Sequence, residues 1–73
     1  FSNVAAALER IVPAGSDKAK AVEALYLGTL SRHPTTAEAA FMVRYVESRS
    51  DPRSAYEDIL WLLLKSGEFV MNH

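Results

Sequence analysis

The chain has 73 residues, a formal net charge of −1, 49% apolar residues and 23% charged residues. This length allows one domain at most, and this apolar content excludes a disordered chain. The eight basic residues are mixed among nine acidic ones, which argues against a surface for nucleic acid or anionic lipid. The absence of cysteine excludes disulfides and thiolate metal sites.

Glycine and proline divide the chain into four predicted helices. The first is predicted at about residues 3–12, with Ser2 as its N-cap and an apolar stripe at helical spacing. The second is predicted at about residues 17–32, with Ser16 as its N-cap. Gly28 lies inside this helix, which indicates either a close approach of another helix or a tolerated defect.

The third helix is predicted at about residues 36–49, after a capping box formed by Thr35 and Glu38. Arg32, at the end of the second helix, suits the negative end of the helix dipole and can reach Glu38 across the turn. With Pro34, these residues predict a structural corner that joins the second helix to the third.

The fourth helix is predicted at about residues 52–65, with Asp51 as N-cap and Pro52 at the first helical position. Its C-terminal half is apolar almost all round, so we expect it to be buried centrally or to pack against a surface outside this chain. A final turn is predicted at residues 68–71. The four helices together predict a compact all-α bundle. The longest apolar run, residues 59–64, is far shorter than the roughly 20 residues of a membrane span.

The reactive side chains do not form a recognisable catalytic constellation. His33 is predicted to lie in an exposed loop and His73 at a frayed terminus. Neither has the His-x-x-x-His or Glu-x-x-His spacing of a metal site. Glu57 and Asp58 are neighbours that point about 100° apart on a helix, and we expect them to serve the helix dipole and solubility. No catalytic, cofactor-binding or metal-binding residue is predicted.

The aromatic side chains recur at positions typical of a core. Stacking on bases or sugars is the alternative use, but the balanced charge favours packing. The six residues in question are Tyr26, Phe41, Tyr45, Tyr56, Trp61 and Phe69.

Two segments resemble one known family. Residues 24–38 read ALYLGTLSRHPTTAE and are similar to LYL…LSR-x-PT-x-x-E. Residues 55–73 read AYEDILWLLLKSGEFVMNH and are similar to AYEDLLWALLNSSEFLFNH. Both patterns belong to a planctomycete-specific domain of unknown function at the C-terminal end of large cytochrome-c-associated proteins. The residues that carry the motifs are Arg32, Pro34, Thr35, Glu38, Trp61, Ser66, Glu68, Phe69, Asn72 and His73.

The resemblance covers about residues 21–73 and departs from the family at three positions. Lys65 and Gly67 stand where the family usually shows Asn and Ser, and His33 stands where Pro or another residue is common. The resemblance implies a single helical domain, residues 1–73, from the C-terminal end of a larger secreted or cell-envelope protein. The haem-binding Cys-x-x-Cys-His of the associated cytochrome is absent, so no haem is expected here.

These observations favour a non-catalytic structural or protein-interaction module. A looser similarity to phycobilisome-linker-like helical domains, which act in assembly, supports this role by analogy only. The expected partners are the remainder of the parent polypeptide or a second copy through the apolar fourth helix. The alternative is an accessory domain of an enzyme that acts on polysaccharide or in electron transfer. A helix-turn-helix nucleic-acid binder is a third interpretation, which the charge balance disfavours.

Overall fold

The computed structural model describes residues 4–66, which form four α-helices and contain no strand. The helices are α1 (Val4–Ile11), α2 (Lys18–Leu30), α3 (Thr36–Ser48) and α4 (Pro52–Leu64). They confirm the predicted all-α bundle of four short helices, with every end within two residues of its expected place. The predicted Ser2 cap and the predicted turn at 68–71 lie outside the described residues.

The start of α2 differs from the prediction by one residue. Asp17, not Ser16, is the N-cap, and its Oδ2 accepts a hydrogen bond of 3.2 Å from the amide of Lys20. The Ser16 hydroxyl donates instead to the carbonyl of Pro13. The predicted Ser16 cap is therefore wrong, because its hydroxyl is used to close the turn that follows α1.

The end of α2 comes at Leu30, two residues before the predicted limit. Ser31 adopts the left-handed conformation, with φ 59° and ψ 32°, which terminates a helix. Pro34 also disfavours a helical conformation at the residue before it. Arg32 therefore lies outside the helix, where its side chain can turn towards α3.

The starts of α3 and α4 confirm the predicted caps. Thr35 Oγ1 accepts from the amide of Glu38 at 3.1 Å, and Glu38 Oε1 accepts from the amide of Thr35 at 2.9 Å. Asp51 Oδ1 accepts from the amide of Arg53 at 3.2 Å, and Pro52 is the first residue of α4. Each cap satisfies amides that have no partner within the helix itself.

Helix α4 is central to the bundle, since it contacts each of the other three helices. Tyr56, Ile59, Leu60 and Leu63 are buried along its inner face. They meet Val22, Leu25 and Tyr26 of α2, Leu8 of α1 and Met42 and Val46 of α3 in one apolar cluster. The inner face of α4 is therefore buried, as one of the two expectations for its apolar sequence required, whereas Leu62 on its outer side is 54% exposed.

Gly28 lies where α1 crosses α2. A Cβ atom at this position would come within 3.3 Å of Ile11 Cδ1. The contact favours the interpretation of Gly28 as a site of close helix packing, not a tolerated defect.

Candidate functional site

The α2–α3 corner, residues 31–38, is held by an arginine fork. Arg32 Nη1 donates to Glu38 Oε1 at 2.9 Å, and Arg32 Nη2 donates to Glu38 Oε2 at 3.0 Å. Arg32 Nη1 also donates to the carbonyl of His33 at 2.9 Å, and the guanidinium carbon lies 5.4 Å from the centroid of the Tyr26 ring. The predicted pairing of Arg32 with Glu38 is confirmed, in bidentate geometry.

Both carboxylate oxygens of Glu38 accept hydrogen bonds within this corner. The hydrogen bond from Arg32, followed by the one from the Thr35 amide, lowers the pKa of Glu38 from 4.5 to about 2. The group is therefore ionised at all pH values near neutrality. A carboxylate bound in this way joins two helices and is poorly suited to exchange protons with a substrate.

His33 is exposed, as predicted, but it has a partner that the sequence did not suggest. Its Nδ1 lies 2.7 Å from Glu23 Oε2, with 69% of the His33 side chain exposed. Glu23 precedes His33 by ten residues and belongs to α2. Pro34, next along the corner, is half-buried.

The second segment singled out in the sequence, residues 55–73, begins within α4 and extends beyond its end. Trp61 is half-buried against the core, and Lys65 Nζ lies 5.9 Å from its ring centroid. The amide of Ser66 donates to the carbonyl of Leu63 at 3.2 Å. The remaining motif residues, Glu68, Phe69, Asn72 and His73, lie outside the described residues.

A second polar cluster, which the sequence analysis missed, bridges α3 and α4. Tyr45 Oη donates to Asp58 Oδ2 at 2.7 Å, and Arg49 Nη1 donates to the same oxygen at 2.8 Å. Arg49 also donates to Tyr45 Oη, and its Nη2 donates to Ser54 Oγ at 3.3 Å. We call Tyr45, Arg49, Ser54 and Asp58 the seam cluster. Asp58 therefore has a specific role in joining two helices, beyond the solubility expected for it.

The seam cluster holds its groups in their ordinary charge states. The Tyr45 hydroxyl, followed by Arg49, lowers the pKa of Asp58. The same hydrogen bond with Asp58 raises the pKa of Tyr45, and Asp58 also raises that of Arg49. Tyr45 stays protonated and Asp58 ionised, which is the opposite of what activation of a base or nucleophile requires.

An apolar surface lies beside the seam cluster. Phe41 is 63% exposed and Leu62 is 54% exposed. Between them is a cleft of about 300 Å³. We call this surface the Phe41 patch; the cleft is lined by Phe41, Met42, Tyr45, Asp58, Ile59 and Leu62.

The exposure of Phe41 contradicts its predicted core position. Successive residues of a helix point about 100° apart, and the inward positions of α3 are taken by Met42 and Val46. Tyr26 and Tyr56 are buried as expected, whereas Tyr45 and Trp61 are only half-buried. Phe69 lies outside the described residues.

A larger apolar groove, of about 610 Å³, lies between α1 and the C-terminal ends of α2 and α4. Val4, Ile11, Trp61, Leu64 and Lys65 are among the residues that line it. Its walls adjoin both limits of the described range. The Phe41 patch lies elsewhere, on α3 and the last two turns of α4.

Within residues 4–66, no three His, Asp or Glu side chains come together in an arrangement that could hold a metal ion. The four described helices are also too short or too polar to cross a membrane. Comparison with protein-family models, curated proteins and solved structures finds no match to this chain.

Proposed function

We propose that this chain is a non-catalytic helical module that binds another protein surface through the Phe41 patch. The observation that carries the proposal is the exposure of two large apolar side chains, Phe41 on α3 and Leu62 on α4, that line the same cleft. Contiguous apolar surface on a small domain typically marks an interaction site, whereas single exposed apolar residues need no explanation.

Two sets of polar side chains support a non-catalytic role. Arg32 and Glu38 are bound to each other, and Arg49, Tyr45 and Asp58 form a second closed set. Their hydrogen bonds are directed within the chain, towards caps and helix junctions. The apolar patch is therefore the better candidate for contact with another molecule.

The composition of the patch also fits a protein partner. Aromatic side chains and Met are enriched in the centres of protein interfaces, and charged groups are depleted there. Phe41, Met42 and Leu62 surround the cleft, while Tyr45 and Asp58 provide a polar rim at one end. An apolar centre with a polar rim is the usual arrangement of a protein interface.

The biological setting that we propose follows from the resemblance of residues 24–38 and 55–73 alone. In that setting the module belongs to a larger secreted or cell-envelope protein of planctomycetes. Its partner is then either another part of the parent polypeptide or a second copy of the module.

Site-specific photo-crosslinking in the native host tests the proposal. A photoreactive phenylalanine analogue would replace Phe41 in one variant and Leu27 in a control. Leu27 is also exposed, at 42%, but it lies on α2 and does not line the Phe41 patch. We expect position 41 to give discrete crosslinks that map to one protein surface, and position 27 to give none. Equal or diffuse labelling from both positions would contradict the proposal.

A further inference from the structure

Helix α1 contributes less to the core than any other helix. It has 8 residues, against 13 in each of the others. It packs against α2 and α4, whereas α2, α3 and α4 each pack against the other two. Of the fourteen buried apolar residues in the described part of the chain, α1 and the residue after it contribute three, Val4, Leu8 and Val12. The other eleven therefore belong to three helices that pack against one another without α1.

The side chain of Arg53 ties the end of α1 to the start of α4. Arg53 Nη1 donates to the carbonyl of Val12 at 2.6 Å, and Arg53 Nη2 lies 4.0 Å from Glu9 Oε2. The last carbonyls of a helix have no partner within the helix and carry the negative end of its dipole. A guanidinium is well suited to this position. Arg53 thus caps the C-terminal end of α1 from a different helix.

The connection between α1 and α2 provides a pivot. The amide of Ser16 donates to the carbonyl of Pro13 at 3.2 Å, so the chain turns within residues 13–16. Gly15 has φ 84°, a left-handed conformation that glycine adopts without strain. Residues 13–15 are exposed. Helix α1 can therefore swing about this turn without disturbing the core of the other helices.

We infer that α1 is a hinged cover of the bundle and that Arg53 is the latch that holds it closed. In the open state α1 has left α2 and α4 and has lost its helical structure, because eight residues are too few for a stable isolated helix. The other three helices stay packed. Such an opening costs less free energy than global unfolding, because it exposes only part of the core. The inference does not depend on the Phe41 patch, which is formed by α3 and α4.

Thiol labelling measures this opening, because the natural chain has no cysteine. Val12→Cys places a thiol at the end of α1, and Val46→Cys places one in α3; both valines are 1% exposed. Each rate would be divided by that of the same thiol in the urea-unfolded chain. We expect position 12 to react at least about tenfold faster than position 46, because a partial opening suffices to expose it. The two rates should converge as urea is added. Equal rates without urea would overturn the inference.

A core substitution remote from α1 separates hinged opening from global unfolding. Ile59 is 1% exposed and lines the cleft between α3 and α4. Ile59→Val weakens packing that persists when α1 opens and is lost only on global unfolding. It should accelerate labelling at position 46 about fivefold and leave the rate at position 12 unchanged. Equal acceleration at both positions would mean that α1 opens only with the whole fold, which contradicts a hinged cover.

Arg53→Met tests the latch, since methionine keeps an unbranched stem and removes the guanidinium. The hydrogen bond to Val12 is absent from the open state and from the unfolded state. Its loss should therefore accelerate labelling about tenfold at position 12, and by the same factor at position 46. Arg44→Met is the matched control, because Arg44 is an exposed base of α3, and it should leave both rates unchanged. An Arg53→Met variant that labels like Arg44→Met would overturn the assignment of Arg53 as the latch. Circular dichroism would verify that every variant is folded.

Discussion

The α2–α3 corner and the seam cluster are two joints of similar chemistry with different surroundings. In each, an arginine donates to a carboxylate at 2.8 to 2.9 Å, and both pairs are partly exposed. At the corner, the carboxylate also accepts from the Thr35 amide, and the arginine also donates to the His33 carbonyl. The seam cluster is made of side chains from α3, from its C-cap Arg49 and from α4, and it borders an exposed apolar patch. The first joint fixes a backbone turn, whereas the second borders a surface suited to binding.

The largest loss of stability is expected in α2, because this helix packs against both α3 and α4, which carry the two joints. Leu25 of α2 is fully buried, and α2 packs against both α3 and α4. Leu25→Ala should destabilise the fold by about 2–5 kcal/mol, through lost apolar burial and the cavity that remains. Urea unfolding followed by circular dichroism measures this change.

Leu27→Ala serves as the control for Leu25→Ala, with the same atoms removed from the same helix. Leu27 is 42% exposed, so its removal should change stability by less than about 1 kcal/mol. Equal losses of stability in the two variants would contradict the assignment of Leu25 to the buried core.

Removal of the α3 N-cap at the corner is expected to cause an intermediate loss of stability. Thr35→Ala removes the hydroxyl that accepts from the Glu38 amide and should cost about 1 kcal/mol of stability. Thr36→Ala, one residue further and inside α3, removes a hydroxyl from an exposed helical position. It should be close to neutral in the same urea titration. A larger loss from Thr36→Ala than from Thr35→Ala would break the assignment of the cap.

The two joints also differ in how far the sequence predicts them. The residues that pair at the corner, Arg32 and Glu38, lie within seven consecutive residues of the sequence. The capping pattern of the corner requires only a turn followed by a helix. The seam cluster depends on the register between two packed helices, because Arg49, the C-cap of α3, and Asp58 of α4 are nine residues apart in the chain. Helical periodicity places Tyr45 and Arg49 on one face, but it does not identify the residue of α4 that meets them.

Helical periodicity also fails to place Phe41, whose predicted core position is wrong. Its spacing from Tyr45 is that of an apolar stripe, and a stripe can face inwards or outwards. Tertiary packing decided between the two, since Met42 and Val46 occupy the inward positions. Caps and helix ends depend on neighbouring residues and were largely predictable, whereas the exposed patch depends on helix packing.

Acid titration sharpens the description of the corner. The pKa of Glu38 is about 2 in the folded chain, against an ordinary value of 4.5, mainly because Arg32 binds the carboxylate. A carboxylate with a lowered folded pKa stabilises the fold above its unfolded pKa, and this contribution is lost as the pH falls through the folded pKa. The loss should therefore fall between about pH 4.5 and pH 2.

Glu38→Gln provides the comparison, because glutamine has a similar shape and does not titrate. Wild type should have a higher Tm than this variant above about pH 4.5, with the difference shrinking towards pH 2. Thermal unfolding by circular dichroism at a series of pH values measures both curves. A difference in Tm that stays constant over this range would refute the assigned pKa.

The smallest effect on stability is expected at the seam cluster. Tyr45→Phe keeps the ring and removes only the hydroxyl that donates to Asp58. Since these groups are exposed to solvent, which weakens such interactions, the loss of stability should be smaller than that caused by Thr35→Ala.

The sharper measurement for the seam cluster is the pKa of Asp58, followed by NMR titration of its carboxyl carbon. The hydroxyl of Tyr45 is the largest cause of the lowered value, followed by Arg49. Tyr45→Phe should therefore raise this pKa towards its ordinary value, and more than Arg49→Lys does. The opposite order would mean that the arginine, and not the tyrosine, organises the rim of the Phe41 patch.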